Sequence, residues 1–239
     1  FSADEFFVTG SGMQAIQTAL AMTSGAGTEV IIPTPAWPNA AAATGVLGAR
    51  PVMVPMNFGN NGWTLDFDRL TAAITPRTRA MVVVTPSNPT GWTATREDLV
   101  SLLALARKHG LWIVADETYA RFWYGGGPRA PSFYDVMKPE DRIIFVNTFS
   151  KNWAMTGWRM GFGVWPRALV AQAERLQINS NSCTNAAAQM AGMAALRGPQ
   201  ECVERMRAAF DSRRKLIVRE LNSIPGFRCT TPKGAFYAF

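Results

Sequence analysis

The feature that most constrains the fold is a series of short, fully apolar segments separated by longer amphipathic ones. Residues 80–84, 111–115 and 143–146 carry apolar side chains at every position. Unbroken apolar runs of this length are typical of strands buried on both faces of a parallel sheet, because a strand with one wet face would alternate. Thr95 and Asp98 form a near capping box at the start of a predicted helix between two of these strands. Repeated strand–helix–strand units predict an α/β fold, with a mostly parallel sheet between two layers of helices.

The same alternation extends along the rest of the chain. Further strands are predicted at residues 6–8, 29–32, 51–54 and 160–164 and near Arg228 and Phe236, and helices at residues 13–22, 39–47, 66–74, 95–109 and over most of 167–222. We expect residues 1–215 to form one large domain and residues 216–239 to begin a smaller C-terminal domain. Because the first residue is Phe and the last residues form an apolar run without a polar tail, we expect the sequence to be the middle part of a longer protein.

Composition excludes disorder and a disulfide-stabilised scaffold. With 48% hydrophobic and 17% charged residues, the chain has the balance of a globular protein. Cys183, Cys202 and Cys229 lie far apart, and we expect them to be reduced, buried thiols in a cytoplasmic protein. The single histidine, His109, excludes most zinc sites and a Ser-His-Asp triad within this sequence, and we expect no metal.

The basic charge balance does not point to a nucleic-acid-binding face. The formal net charge is +7, and acidic residues interrupt the densest basic cluster, at residues 205–219. We interpret this cluster as a solvated helix face, because its charges recur at helical spacing, and we expect no nucleic-acid partner. No apolar run approaches the ~18 residues of a membrane helix, and residues 1–20 lack the pattern of a signal peptide, so we expect no membrane partner.

Five polar motifs follow the predicted strands, at the edge of the sheet where parallel α/β proteins bind their ligands. Ser11-Gly12-Met13 lies between a strand and a helix, so its backbone N–H groups and the helix N-terminus suit an anion, although a structural turn would have the same pattern. Trp37 follows the second strand and would stack on a flat ligand, unless it belongs to the core. Asn88, next to two proline-constrained segments, is either a rigid hydrogen-bonding group or part of a tight turn.

The two remaining motifs contain charged side chains. Asp116 ends a buried strand, where a carboxylate needs a partner such as a cationic ring nitrogen, and Tyr119 follows three residues later. Thr148 and Lys151 follow the strand at residues 143–146, and apolar neighbours would make the lysine amine a nucleophile toward carbonyls, whereas a solvent-facing, idle lysine is the alternative. Arg159 offers a planar fork for a phosphate.

Together, these motifs match the chemical groups of one small molecule. The groups required are a phosphate, an aldehyde, a flat ring, a ring nitrogen that stays protonated and a ring hydroxyl. The side chains expected to meet them, in that order, are Ser11, Thr148 and Arg159; Lys151; Trp37; Asp116; and Asn88 with Tyr119. Pyridoxal 5'-phosphate (PLP) has all of these groups, and a lysine Schiff base with an aspartate at the pyridinium nitrogen is its known protein signature.

The sequence also resembles the class I/II aminotransferases, fold-type I PLP enzymes of the aspartate aminotransferase superfamily. The matching motifs follow the order and spacing of that family across nearly the whole chain. They are Ser-Gly-Met-Gln-Ala at 11–15, Pro-Ala-Trp at 35–37, Asn-Pro-Thr-Gly at 88–91, Asp-Glu-Thr-Tyr at 116–119, Thr-Phe-Ser-Lys at 148–151, Thr-Gly-Trp-Arg-Met-Gly at 156–161 and Pro-Lys-Gly-Ala-Phe-Tyr at 232–237. The combination is specific, although no single motif is.

The resemblance implies a role for each residue of the candidate site. Lys151 would be the Schiff-base lysine, Asp116 the partner of the ring nitrogen, and Tyr119 a third catalytic residue that binds the ring oxygen. Trp37 and Asn88 would contact both cofactor and substrate, and the phosphate would be held by Ser11, Gly12, Met13, Thr148 and Arg159. Met13 replaces a residue that is often a hydroxyl, so only its backbone N–H can serve.

The activity implied is transamination from an L-amino acid to a 2-oxo acid, with ping-pong kinetics through Lys151, in a homodimer whose subunits share active sites. The alternatives are a PLP-dependent lyase or synthase of the same fold, and a transcription regulator that uses an aminotransferase-like domain to sense PLP. A binding protein that has lost catalysis is a third alternative, against which the intact set of Lys151, Asp116 and Arg159 weighs. The arginine that binds the substrate carboxylate in this family is expected beyond residue 239.

Overall fold

The computed structural model describes residues 1–239, and a seven-stranded sheet forms its centre. The strands are β1 (Phe6–Thr9), β2 (Glu29–Thr34), β3 (Arg50–Pro55), β4 (Asn57–Gly59), β5 (Gly62–Thr64), β6 (Thr78–Val84), β7 (Trp112–Asp116), β8 (Ile143–Thr148) and β9 (Gly161–Val164). The order in the sheet is β1-β9-β8-β7-β6-β2-β3, and β4 and β5 form a separate hairpin. The five neighbouring strands β3, β2, β6, β7 and β8 run parallel to one another, whereas β9 is antiparallel to both β8 and β1. This topology confirms the predicted α/β fold with a mostly parallel sheet.

The helices are α1 (Gly12–Thr23), α2 (Asn39–Val46), α3 (Phe67–Ala72), α4 (Arg96–His109), α5 (Phe149–Asn152), α6 (Val170–Asn181), α7 (Ala186–Arg197) and α8 (Glu201–Asn222). Their ends follow the capping chemistry of the sequence. Asp66 caps α3, and Thr95 with Asp98 forms the predicted capping box of α4. Gly110 ends α4 with a φ of 65°, a left-handed conformation that glycine adopts without strain. None of the helices combines the length and apolar character needed to cross a membrane.

Different helices cover the two faces of the sheet, since successive residues of a strand point in opposite directions. On one face, Met81 packs in a cluster with Leu99 of α4. On the other face, Val82 packs in a cluster with Ile16 of α1. This burial on both faces explains the unbroken apolar sequence of the central strands. Because β6, β7 and β8 are parallel neighbours, their carboxyl ends lie together at one edge of the sheet.

Two of the predicted strands do not form. Near Arg228 and Phe236 the chain is irregular, and the only pairing is an isolated bridge between Trp123 and Gly234. The backbone donors of this segment bind loop carbonyls instead, because Gly234 N–H donates to Gly91 and Ala235 N–H donates to Phe122. The prediction of strands there was wrong because the partners of the segment are loops rather than an open strand edge.

The structure differs from the sequence-based expectation at three further places. The hairpin of β4 and β5 was not predicted. All three cysteines are free, as expected, but Cys183 and Cys202 are exposed and only Cys229 is buried. Helix α8 continues across the expected domain boundary between residues 215 and 216, and the division into two domains stays a prediction.

Candidate active site

A cavity of about 260 Å³ lies at the carboxyl ends of β6, β7 and β8. All ten residues singled out from the sequence line it: Ser11, Gly12, Met13, Trp37, Asn88, Asp116, Tyr119, Thr148, Lys151 and Arg159. The motifs that contribute these residues are separated by up to about 150 positions along the chain. They meet because the carboxyl ends of parallel strands meet at one edge of a sheet.

One end of the cavity is built to attract an anion. The Ser11 side chain caps α1 by accepting a hydrogen bond from Gln14 N–H at 3.1 Å, and no acidic residue lies in the first turn. The hydroxyl oxygens of Thr148 and Ser150 are 3.0 Å apart beside this turn. Arg159 donates to the Thr156 carbonyl at 2.9 Å and has no carboxylate partner. Helix dipole, hydroxyls and guanidinium therefore converge on one place.

Close backbone packing holds this anion-binding end together. A Cβ added at Gly161 would lie 2.5 Å from Gly12 N, 2.6 Å from the Ser11 carbonyl carbon and 2.8 Å from the Asn147 carbonyl oxygen. Only glycine permits β9 to pass this close to the first turn of α1. The Asn147 side chain adds a link, because it accepts from Thr148 N–H at 2.8 Å and donates to the Glu117 carbonyl at 3.1 Å.

The Asp116 carboxyl, at the end of β7, lines the same cavity. Asp116 is only 4% exposed, and the Thr118 N–H is its hydrogen-bond donor, at 3.0 Å. Burial raises the pKa of Asp116 above its ordinary value, and hydrogen bonds from Thr118 lower it only in part. No basic side chain forms an ion pair with it. A cationic ring nitrogen placed here would satisfy a carboxylate that the chain itself leaves unpaired.

Lys151 lies on α5, directly after β8, and its side chain reaches the same cavity. Its amine is 5.8 Å from the centre of the Phe236 ring, within the range of a cation–π contact. It has no acidic partner among the ion pairs of the structure. A lysine free of carboxylates keeps its amine available for a carbonyl compound.

The remaining wall consists of Trp37, Asn88 and Tyr119. Trp37 N–H donates to the Asn88 carbonyl at 2.9 Å, so the loops after β2 and β6 are tied together. The hydroxyl of Tyr119 is 2.5 Å from that of Tyr237. Burial raises the pKa of Tyr119 well above its ordinary value, and a hydrogen bond from Asn88 opposes this rise. Tyr119 is therefore a neutral hydrogen-bonding group rather than a phenolate.

Sequence reasoning missed four polar residues of the cavity: Thr118, Ser150, Thr156 and Tyr237. Three lie inside motifs that were recognised, so their neighbours were the available signal. Tyr237 also ends a recognised motif, but its place beside Tyr119 depends on how residues 232–237 dock against the loops after β6 and β7.

The arrangement fits PLP by its donors and charges. The cavity is lined by two cations without ion-pair partners, Lys151 and Arg159, and by the capped N-terminus of α1. It is also lined by one carboxylate without an ion-pair partner, Asp116. A molecule with a phosphate, a carbonyl and a protonated ring nitrogen complements this set. The chain contains no group of three or more His, Cys, Asp or Glu residues that could hold a metal ion.

Comparison with known proteins agrees with this geometry. The chain matches the family described as aminotransferase class I and II over residues 1–239. It is 37% identical over 235 residues to an aspartate aminotransferase of Geobacillus stearothermophilus, covering 98% of this chain and 60% of that protein. It is 38% identical over 213 residues to aromatic-amino-acid aminotransferase 2 of Thermococcus litoralis, covering 88% and 54%. The crystal structure of the Rhizobium meliloti aspartate aminotransferase matches with a TM-score of 0.93 at 34% identity, covering 100% of this chain and 60% of that one.

The chain thus spans about 60% of the length of these relatives. Over that length, sequence and fold both agree, since the family match includes every residue and the structural match covers the whole chain. The resemblance inferred from the motifs is therefore confirmed, and the chain belongs to the class I and II aminotransferases.

Proposed function

We propose that the protein is a PLP-dependent aminotransferase that moves an amino group from an L-amino acid to a 2-oxo acid. The observation that carries this proposal is the cavity lined by Lys151, Arg159 and Asp116, none of which forms an ion pair within the chain. The family to which the chain belongs uses PLP, and these three side chains complement its aldehyde, phosphate and ring nitrogen.

Each wall of the cavity has a binding task in this proposal. The first turn of α1 at Ser11, Gly12 and Met13, with Thr148 and Arg159, holds the phosphate through backbone N–H groups, a hydroxyl and a guanidinium. Trp37 covers the flat ring, and Asn88 and Tyr119 bind the ring oxygen. Trp37 and Asn88 also border the space that the substrate would use.

PLP, when bound, supplies an aldehyde carbon that condenses with amines and a protonated ring that takes up the electron pair released at the Cα of the amino acid. An ionised Asp116 carboxylate beside that ring nitrogen would keep the nitrogen protonated. Lys151 would anchor the cofactor through its amine, and the same amine, when free, would be the base that takes the Cα proton of the substrate and returns it to the former aldehyde carbon. Tyr119, whose hydroxyl burial keeps neutral, would donate a hydrogen bond to the ring oxygen.

The substrate pair is a finer proposal. The similarity to proteins named aspartate aminotransferases makes aspartate our first candidate for the amino donor, and the similarity to an aromatic-amino-acid aminotransferase makes aromatic amino acids the second. The same relatives do not favour a PLP-sensing regulator or a lyase, since both comparisons return aminotransferases.

We also propose a homodimer with the active site at its boundary. Exposed apolar side chains recur on α6 and α7: Leu176, Ile178, Met190, Met193 and Leu196. An open groove of about 780 Å³ is lined by Asn181 at the end of α6, Ala188 of α7, Trp158 and Arg159, so a second copy seated there would border the anion-binding end. The three free cysteines agree with a reducing compartment, and we propose the cytoplasm.

The decisive experiment uses the full-length protein with PLP and a panel of amino donors and 2-oxo acids. We expect a new amino acid and a new 2-oxo acid in equal amounts, and a visible absorbance band from the Lys151-bound cofactor. Lys151→Ala should remove this band and lower turnover about 10⁴-fold or more, because it removes both the covalent link and the base. Lys108→Ala, at an exposed position of α4, is the matched control. Release of ammonia in place of an amino acid, or a normal band in Lys151→Ala, would contradict the proposal.

A further inference from the structure

Tyr237 is the cavity residue whose contribution neither the fold nor the family match explains. Tyr237 is the last residue of the segment 232–237, whose backbone is hydrogen-bonded to the loops after β6 and β7. Lys233 and Gly234 both donate their N–H groups to the Gly91 carbonyl, and Ala235 donates to Phe122 at 2.9 Å. A Cβ at Gly234 would lie 2.5 Å from Pro86, so the fit is tight. These backbone contacts of residues 233–235 therefore help to position Tyr237, in addition to the contacts of the Tyr237 side chain.

The hydroxyl of Tyr237 meets that of Tyr119 at 2.5 Å, a short distance for two neutral groups. Each hydroxyl has one hydrogen to donate. If Tyr119 gave its hydrogen to Tyr237, it would have none for an oxygen in the cavity. If Tyr237 is the donor, the Tyr119 hydrogen is free to point into the cavity that both residues line.

We infer that Tyr237 is a positioning residue, which donates to the Tyr119 oxygen and thereby directs the Tyr119 hydrogen toward the ring oxygen of the bound cofactor. This inference rests on the proposed function. A hydroxyl that accepts a hydrogen bond is also a stronger donor, since linked hydrogen bonds polarise one another. Tyr237 thus strengthens the Tyr119 contact without touching the cofactor's reacting atoms.

The alternative is a packing role for the Tyr237 ring. Its ring lies 5.7 Å from that of Tyr119 and 4.9 Å from that of Phe236, so it belongs to an aromatic cluster. A packing role needs the ring and not the hydroxyl. Phenylalanine at this position would preserve packing and remove only the donor, which separates the two roles.

The test is the pH titration of the absorbance of the Lys151-bound cofactor in the full-length protein. A weaker hydrogen bond from Tyr119 leaves more charge on the ring oxygen, so the proton shared with the Lys151 nitrogen is held more tightly. We expect Tyr237→Phe to raise the pKa of this absorbance change by about half a unit to one unit, the equivalent of one modest hydrogen bond. Tyr124→Phe is the matched control, because its hydroxyl binds the Ala235 carbonyl at 2.8 Å in the same segment but does not reach Tyr119.

A double-mutant cycle completes the experiment. If Tyr237 acts through Tyr119, Tyr237→Phe should change the absorbance pKa by less than about 0.2 units when Tyr119→Phe is already present. An unchanged titration in the single variant, or an equal shift in both backgrounds, would overturn the inference while the Lys151-dependent band still supported the proposed function. If the wild-type protein shows no such band, the proposed function itself fails.

Discussion

At the residue scale, the buried aspartates Asp116 and Asp141 differ in whether the chain supplies an ion-pair partner. Asp141 is as buried as Asp116, but Arg107 binds it through two hydrogen bonds of 2.7 Å. Arg107 lowers the pKa of Asp141, whereas burial raises that of Asp116. The same residue type therefore stabilises the fold at one site and costs stability at the other.

This contrast predicts opposite effects of two equivalent substitutions on the cofactor-free protein. Burial raises the pKa of Asp116 in the folded state, so its contribution to stability is lost as the pH rises through that pKa. At pH 7 the buried carboxyl therefore lowers stability, and we expect Asp116→Asn to raise Tm by about 2–6 °C. A lowered folded pKa means that stability is present at pH 7 and lost on acidification, so Asp141→Asn should lower Tm by a similar amount. Thermal unfolding at pH 7 measures both.

The same asparagine variant should lose the function that the charge serves. Asp116→Asn cannot hold the ring nitrogen protonated, and we expect turnover to fall about 10²-fold or more although the protein is more stable. A variant that loses stability and keeps turnover would show that Asp116 is structural.

Glu117, next to Asp116, is a second buried acid, and it faces away from the cavity. Ser132 Oγ donates to it at 2.7 Å and Phe133 N–H at 3.1 Å, yet burial raises its pKa to about 7. Its contribution to stability is complete below about pH 4.5 and is lost as the pH rises to about 7.

We expect Glu117→Gln to remove this dependence. The free energy of unfolding of the wild type relative to Glu117→Gln should fall by roughly 3 kcal/mol between pH 4.5 and pH 7 and then level off. Urea unfolding at pH 5, 6, 7 and 8 gives the difference at each point. A constant difference across this range would mean that Glu117 titrates at its ordinary pKa.

The sequence identified the residues of the cavity better than it identified their partners. Ser11, Asp116 and Lys151 could be placed because each lies at or just after the end of a strand. The ends of these strands meet at one edge of the sheet, and this does not depend on the conformation of the loops. The bond between Tyr119 and Tyr237 could not, since it depends on contacts between residues 118 positions apart. Backbone bonds at Gly91 and Phe122 that no local pattern encodes bring them together.

At the element scale, prediction worked where one element carries its own signal. The buried strands β6, β7 and β8 were found because burial on both faces leaves an unbroken apolar sequence. The hairpin of β4 and β5 has strands of only three residues, too short for any period to show. The segments near Arg228 and Phe236 have the composition of strands, but their only strand-like pairing is the isolated bridge between Trp123 and Gly234.

The contact between β9 and α1 is the element-level feature on which the proposed phosphate site depends. We expect Gly161→Ala to cost about 2–3 kcal/mol of stability, because its Cβ would meet backbone atoms of Ser11, Gly12 and Asn147 within 3 Å. It should also weaken PLP binding about tenfold, since the first turn of α1 must move. Denaturant unfolding and PLP titration measure the two effects.

Gly45→Ala is the control for this substitution. Gly45 lies in α2, and a Cβ there meets nothing within 4 Å. Alanine favours a helix over glycine, so this variant should gain about 0.5–1 kcal/mol and bind PLP normally. If Gly161→Ala behaved like Gly45→Ala, the close approach would have no role in the phosphate site.

At the scale of the whole molecule, exposed apolar surface and the active site lie side by side. Met190 of α7 is 63% exposed and Ile178 of α6 is 57% exposed, although both side chains are apolar. Arg159 lines both the cavity and the open groove next to these helices. Assembly and catalysis are therefore expected to depend on each other, as the family resemblance also implies. The sequence alone could not indicate which helices form the interface, because exposure follows from the complete fold.

This dependence is testable by placing charges on α7. The double variant Met190→Glu/Met193→Glu should shift the full-length protein from dimer to monomer, because burying two carboxylates in an apolar interface costs several kcal/mol. Val46→Glu, at an 81% exposed position at the end of α2, should leave the dimer intact. Light scattering across a concentration series measures the assembly, and turnover at the same concentrations should fall with the dimer fraction. A double variant that stays dimeric would place the interface elsewhere, and a fully active monomer would separate catalysis from assembly.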